Sequence, residues 1–117
     1  MESSSSDQAL VLIAFRQARR RAFNDRLAAL DPIGEVMPWR CECGLVACGS
    51  ALRMTEREYA DVRAHPRRFV VLPAHIVGEA EYVADSRRGW TVVEKLPGPA
   101  AAFVTRTHVP ATQITAP

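Results

Sequence analysis

The stretch W-R-C-E-C-G-L-V-A-C-G-S, residues 39 to 50, holds all three cysteines of the chain within eight positions. Thiols this close constrain the fold, because they act together or are kept apart. An odd count does not build a disulfide framework. On an extended segment residues i and i+2 point the same way, so Cys41 and Cys43 can face one point. Gly44 lets the chain turn back, and four residues suffice to return Cys48 to the same point. Gly49 then permits a close backbone approach just past it. Soft thiolates in this number favour Zn2+, and a structural zinc site takes a fourth nitrogen or sulfur donor.

Three histidines compete for that place. His65 falls at the end of an expected short helix, where an imidazolium suits the helix dipole and the surface. His108 lies in the C-terminal stretch. His75 follows an apolar strand directly, in a loop free to turn, and is the expected fourth ligand. The predicted metal site is therefore Cys41, Cys43, Cys48 and His75. Glu42 and Glu35 are read as outer-shell or solvent-facing groups, and Trp39 either as a shield over the cysteines or as a core residue.

Around this cluster the pattern predicts an α+β fold with a long N-terminal helix, a zinc knuckle, a short helix and a small, mainly antiparallel sheet. Residues 1–7 (MESSSSD) are expected to be disordered. From Gln8 to Leu30 the spacing is helical, with Val11, Phe15, Ala18, Ala22 and Ala29 on one side and Leu12, Phe23, Leu27 and Leu30 adjoining. Pro32 and Gly34 would end it. The five arginines between positions 16 and 26 spread around this helix and are read as a solvated face.

Residues 31–40 read as a loop. Ala51 to Met54 reads as a strand, and Thr55 with Glu58 has the spacing of a capping box opening a helix at Glu56. Arg68 to Leu72 is a strand. The segment from Glu79 to Lys95 reads as strand, turn, strand around Arg87-Arg88-Gly89, with a helix over residues 79–85 as the alternative. Residues 8–96 thus form a single zinc-stabilised domain, and residues 97–117, rich in proline and without a period, an extended or disordered tail.

Only eight of 117 residues are aromatic, so the core has few large side chains. A domain of this size gains from a cross-link. Structural zinc contributes about 10–16 kcal/mol, against total stabilities of about 5–15 kcal/mol. One such site decides whether a thin core folds. A net charge of +2 is too small to argue for nucleic acid. No apolar run approaches the ~18 residues of a membrane span. Ala9 to Phe15 lacks the preceding basic region of a signal peptide, so the expected location is the cytoplasm, where thiols stay reduced.

The segment C-E-C-x4-C, followed by L-R-M-T-E-R-E-Y-A-D-V-R-A-H-P-R-R-F-V-V-L-P-A-H and W-T-V-V-E-K, resembles a family of small uncharacterised bacterial proteins from high-GC Gram-positive organisms. Members share an N-terminal amphipathic helix, a cysteine cluster, T-x-x-E-Y-x-x-V-R-x-x-P-x-R-F and a histidine soon after it. The resemblance covers about residues 10 to 95 and implies that Cys41, Cys43, Cys48 and His75 belong to one site. Where the family reads P-G-H this chain has Pro73-Ala74-His75, which requires a negative φ at Ala74. The resemblance implies no activity.

Three functions are compatible with these residues. The first is a non-enzymatic zinc-binding domain with regulatory or interaction roles and an unknown protein partner, possible also as a homodimer. The second is a thiol-based redox sensor or cysteine-dependent enzyme, with Cys48 and His75 as nucleophile and base. The third is a nucleic-acid-binding accessory protein acting through the Arg-rich helix.

Overall fold

A computed structural model describes residues 5–30 and 34–108. Its elements in chain order are α1 (Ser5–Ala28), β1 (Val36–Arg40), β2 (Ala51–Thr55), α2 (Glu56–Arg63), β3 (Arg68–Val71), a 3-10 turn (Pro73–His75), β4 (Glu81–Arg87), β5 (Trp90–Lys95) and α3 (Pro99–Arg106). The fold is α+β, with two small antiparallel sheets, β1-β2 and β3-β5-β4. No helix among the described residues is long and apolar enough to cross a membrane.

Local chemistry accounts for most elements. Thr55 caps α2 as expected: its hydroxyl accepts from the Glu58 N–H at 3.2 Å, and the Thr55 N–H donates to Glu58 Oε1 at 2.8 Å. β4 and β5 form the expected hairpin, pairing Arg87 with Trp90 across Arg88-Gly89. Gly89 takes φ of +87°, which a side chain would strain. The β-branched run of β3 lies against β5, burying Phe69, Val70, Val71, Val92 and Val93.

Residues 36–40, read as a loop, are a strand. Pro38 sits opposite Arg53 in a two-stranded sheet, where each strand has one unpaired edge and a missing N–H is tolerated. Trp39 is a core residue. It is fully buried, stacks on Tyr59 at 4.4 Å and donates its indole N–H to the Met54 carbonyl at 2.7 Å.

The C-terminal stretch is likewise not all extended. Pro99 opens α3, where its fixed φ suits the first turn, and three alanines follow. Ala100, Ala101 and Val104 are buried, and Phe103 meets Phe15 of α1 at 6.1 Å. At the other end, α1 begins within the serine run, so residues 5–7 are helical, with Asp7 in the first turn where a negative charge suits the helix dipole. Residues 1–4, the expected stop at Pro32 and residues 109–117 lie outside the described residues.

The largest departure is the orientation of α1. Leu12, Phe15, Phe23 and Leu30 remain 45–56% exposed, while Ala14, Gln17, Arg21, Asn24 and Asp25 are buried. Apart from Ala14 the inward stripe is polar, and Gln17, Arg21, Asn24 and Asp25 each bond to another part of the fold, although Gln17 Oε1 is buried without a partner. Arg21, expected on a solvated face, donates to the carbonyls of Pro66 at 2.7 Å and Val104 at 2.8 Å, with its guanidinium 4.8 Å over the Phe69 ring. Asp25 takes two bonds from Arg63, at 2.6 and 2.9 Å. These charge-assisted bonds, the stronger kind, tie α1 to α2, to α3 and to the turn before β3, with Leu12, Phe15 and Phe23 left outward.

Candidate metal centre

β1 delivers the chain into the cysteine turn. The Cys41 N–H extends the β1-β2 ladder by donating to the Ser50 carbonyl at 3.0 Å, which fixes the start of the turn. Leu45 to Cys48 closes through a 3.3 Å bond from the Cys48 N–H to the Leu45 carbonyl. The next residue after Cys41 crosses to the other sheet: Glu42 N–H donates to the Val70 carbonyl at 2.7 Å. Because β3 runs on into the 3-10 turn, this contact brings His75 back over the cysteines. Ala74 lies within that turn, where φ is negative, so alanine fits.

The four expected residues converge. The Cys41, Cys43 and Cys48 Sγ atoms and a His75 ring nitrogen all lie within 4.8 Å of one another. His75 Nδ1 is 3.6 Å from Cys41 Sγ and 3.5 Å from Cys48 Sγ. Cys41 and Cys43 are fully buried, and Cys48 and His75 are half-buried. The other two histidines do not join: His65 is exposed, and His108 Nδ1 meets Arg63 at 2.8 Å.

The thiols differ in acidity. Burial pushes Cys41 up to about 12, partly opposed by the Leu72 N–H, which donates to its sulfur at 3.2 Å. Burial also raises Cys43. In Cys48 burial is outweighed by hydrogen bonding from the Ser50 backbone and from Cys43 and Cys41, and its thiol is held below the usual range.

α1 braces the turn from outside. Arg20 Nη1 donates to the Cys43 carbonyl at 2.5 Å and approaches Cys43 Sγ at 3.4 Å, while its Nη2 donates to the Val46 carbonyl at 3.3 Å. Arg16 donates to the Gly44 carbonyl at 3.3 Å. The close approach expected at Gly49 occurs instead at Gly44, which is buried against Ile13; a Cβ at Gly49 would meet nothing within 4 Å.

Glu42 is the residue whose place the sequence least disclosed. It is fully buried and faces away from the metal-binding group. Its Oε2 accepts from the Tyr59 hydroxyl at 2.6 Å and Asn24 Nδ2 at 2.9 Å, and its Oε1 accepts from the Val70 N–H at 3.1 Å. Burial raises its pKa, while Tyr59, Asn24 and Val70 pull it down. With its own N–H also on Val70, Glu42 ties the cysteine turn to β3, α2 and α1 at once. The available signal was the stripe of Arg21, Asn24 and Asp25 at helical spacing, which marks a polar inner face.

Fold and site together define a small α+β domain closed by a Cys3His group that could hold a metal ion. No protein-family model, curated protein or solved structure matches the chain. The reading of the site therefore stands on its own geometry.

Proposed function

We propose that Cys41, Cys43, Cys48 and His75 hold one structural Zn2+ ion and that the chain is a non-enzymatic zinc-binding domain of the cytoplasm, acting by interaction with a partner. The carrying observation is the pair of S···N separations, 3.5 and 3.6 Å. A tetrahedral zinc with Zn–S of about 2.3 Å and Zn–N of about 2.0–2.1 Å sets an S···N edge of about 3.6 Å. The donor set is soft, as zinc prefers. Four protein donors fill a tetrahedral ion and leave no position for a substrate water. Three thiolates and a neutral imidazole around Zn2+ carry one net negative charge, which the Arg20 guanidinium beside Cys43 offsets. The metal would thus complete the fold rather than perform chemistry.

Elemental analysis of the native protein tests it, with one zinc per chain expected. A chelator should then unfold the protein. Metal-free protein that melts at the same temperature as the native protein would sink the proposal.

One observation favours a thiol-redox role instead: Cys48 is half-buried with a depressed pKa, as reactive thiols are. Thiol-modification rates separate the readings. A structural site keeps all three cysteines slow until zinc is chelated, whereas a redox site leaves Cys48 fast in the native protein.

A further inference from the structure

The outward side of α1 carries a groove that extends beyond the arginines bracing the cysteine turn. Arg16, Arg19, Arg20 and Arg26 of α1 and Arg40 of β1 line a concavity of about 650 Å³, which runs from the helix to Val46 of the cysteine turn. Among the described residues none of these five forms an ion pair; the pairs present involve Arg63, Arg67, Arg68, Arg87 and Lys95. Arg16 and Arg20 bond to the cysteine turn, so the charge that no carboxylate of the described residues offsets is carried foremost by Arg19, Arg26 and Arg40. The small net charge of the chain conceals this asymmetry, because Glu56, Glu58 and Asp61 sit apart on α2.

Apolar surface is interleaved with the charge. Phe23 is 51% exposed, with the Arg40 guanidinium 4.7 Å over its ring. Phe15 carries Arg19 at 5.9 Å in the same way.

We propose that this groove binds single-stranded nucleic acid, its phosphates on the arginines and a base stacked against the Phe23–Arg40 pair. Arg16 to Arg26 spans roughly 15 Å of helix at a rise of about 1.5 Å per residue, enough for several successive phosphates rather than one anion. Guanidinium planes and phenyl rings together are the elements on which unpaired bases stack without sequence preference. A concave groove admits one strand more readily than a duplex. Each ring has a guanidinium packed over it, so the apolar surface lies among the charges instead of projecting beyond them, as insertion into a bilayer requires. The inference rests on α1 and β1 and is independent of the identity of the metal.

The test is fluorescence anisotropy of the full chain with short labelled oligothymidylate and oligouridylate. Binding should weaken steeply between about 50 mM and about 200 mM salt, as counterion release demands. The R19E/R26E double variant should bind about tenfold or more weakly at low salt. Neither side chain donates a hydrogen bond in the described fold, so metal content should be unchanged and the melt should stay cooperative, with only a small drop in melting temperature from the lost Arg19–Phe15 contact and the reversed charge in the last turn of α1, which checks that the fold is intact. Phe23→Ala should weaken binding with the salt slope preserved, and an abasic strand of equal length should bind less well than oligothymidylate. Absence of salt-dependent binding to either strand overturns the proposal, as does undiminished binding by a folded R19E/R26E protein. Tighter binding to anionic phospholipid vesicles or to polyglutamate than to the oligonucleotides assigns the groove to another partner. Equal affinity for the abasic strand removes the stacked base.

Discussion

Lys95 and Glu81 form an ion pair in which neither side chain is exposed to solvent, with Nζ 2.9 Å from Oε1. They face each other across the β4-β5 register, and Glu81 also accepts from Gln17 Nε2 at 3.2 Å and the Val77 N–H at 3.1 Å. Removing one partner leaves a buried charge without compensation. Lys95→Met should therefore destabilise the protein by about 3–5 kcal/mol in urea unfolding, and K95M/E81Q, which removes the stranded charge but keeps an acceptor for Gln17 or Val77, should recover part of that loss. A single variant as stable as the parent would show that water reaches Glu81.

The Glu42 carboxylate offers a second test, close to the cysteines yet separate from metal ligation. Tyr59→Phe removes the shortest of its donors and leaves Oε2 with Asn24 alone. The expected loss is about 1–3 kcal/mol, the range for a buried polar group deprived of a partner. Zinc content should stay at the native value. Loss of metal in a folded Tyr59→Phe protein would mean that the carboxylate positions the thiols directly.

Gly44 and Gly49 flank the turn, and only Gly44 should be sensitive to alanine. A Cβ at Gly44 runs into Cγ2 of Ile13 and lies 3.3 Å from the Ile13 carbonyl oxygen, whereas at Gly49 it meets open space. Gly44→Ala should cost about 1–3 kcal/mol through overpacking. Gly49→Ala should fall within about 0.5 kcal/mol of the parent. Thermal melts of both variants with zinc present check this.

Removing the fourth donor should be more severe than removing a surface imidazole. His75→Ala should lower zinc affinity and melting temperature together, while His65→Ala, an exposed change, should leave both unaltered. Competition with a chromophoric chelator measures the affinity. Native zinc retention in His75→Ala would place the fourth ligand elsewhere.

Acid should loosen the hairpin through Glu94. The Tyr82 hydroxyl first and Arg68 next hold this carboxyl below its ordinary value of 4.5. A group depressed in the folded state stabilises above its unfolded pKa, and that contribution disappears as pH falls through the folded value. Glu94→Gln should flatten the decline in stability between about pH 5 and about pH 3. An unchanged slope would show that Glu94 titrates alike in both states.

What the sequence disclosed follows the range of the interactions involved. The Thr55–Glu58 cap and the Arg88-Gly89 turn are satisfied within a few residues, so spacing alone reveals them. The metal group was legible because three clustered thiols needed a nitrogen and His75 was the one placed after a strand. The facing of α1 was not, because Gln17, Arg21, Asn24 and Asp25 are paired by Glu81, Pro66, Val104, Arg40, Glu42 and Arg63, 16 to 83 residues away. A hydrophobic periodicity assigns the apolar side to the interior, and the polar stripe of Arg21, Asn24 and Asp25 outweighs it only once those distant partners are known. β1 was obscured by Pro38, whose lost N–H matters only if the strand is central. α3 was obscured by counting prolines, although Gly98-Pro99 before three alanines is a helix start.

His75 stands 34 residues beyond Cys41 and 27 beyond Cys48, and the chain between holds all of α2 and β3. An ion bound by all four residues therefore closes a long loop, and the entropy of that closure is lost once, when the ion binds, for every contact the loop contains. A peptide cut to the cysteine turn would keep three donors and lose the fourth with the whole helix-strand segment. Affinity for the ion and cooperativity of folding are on this account a single quantity, measurable from either side.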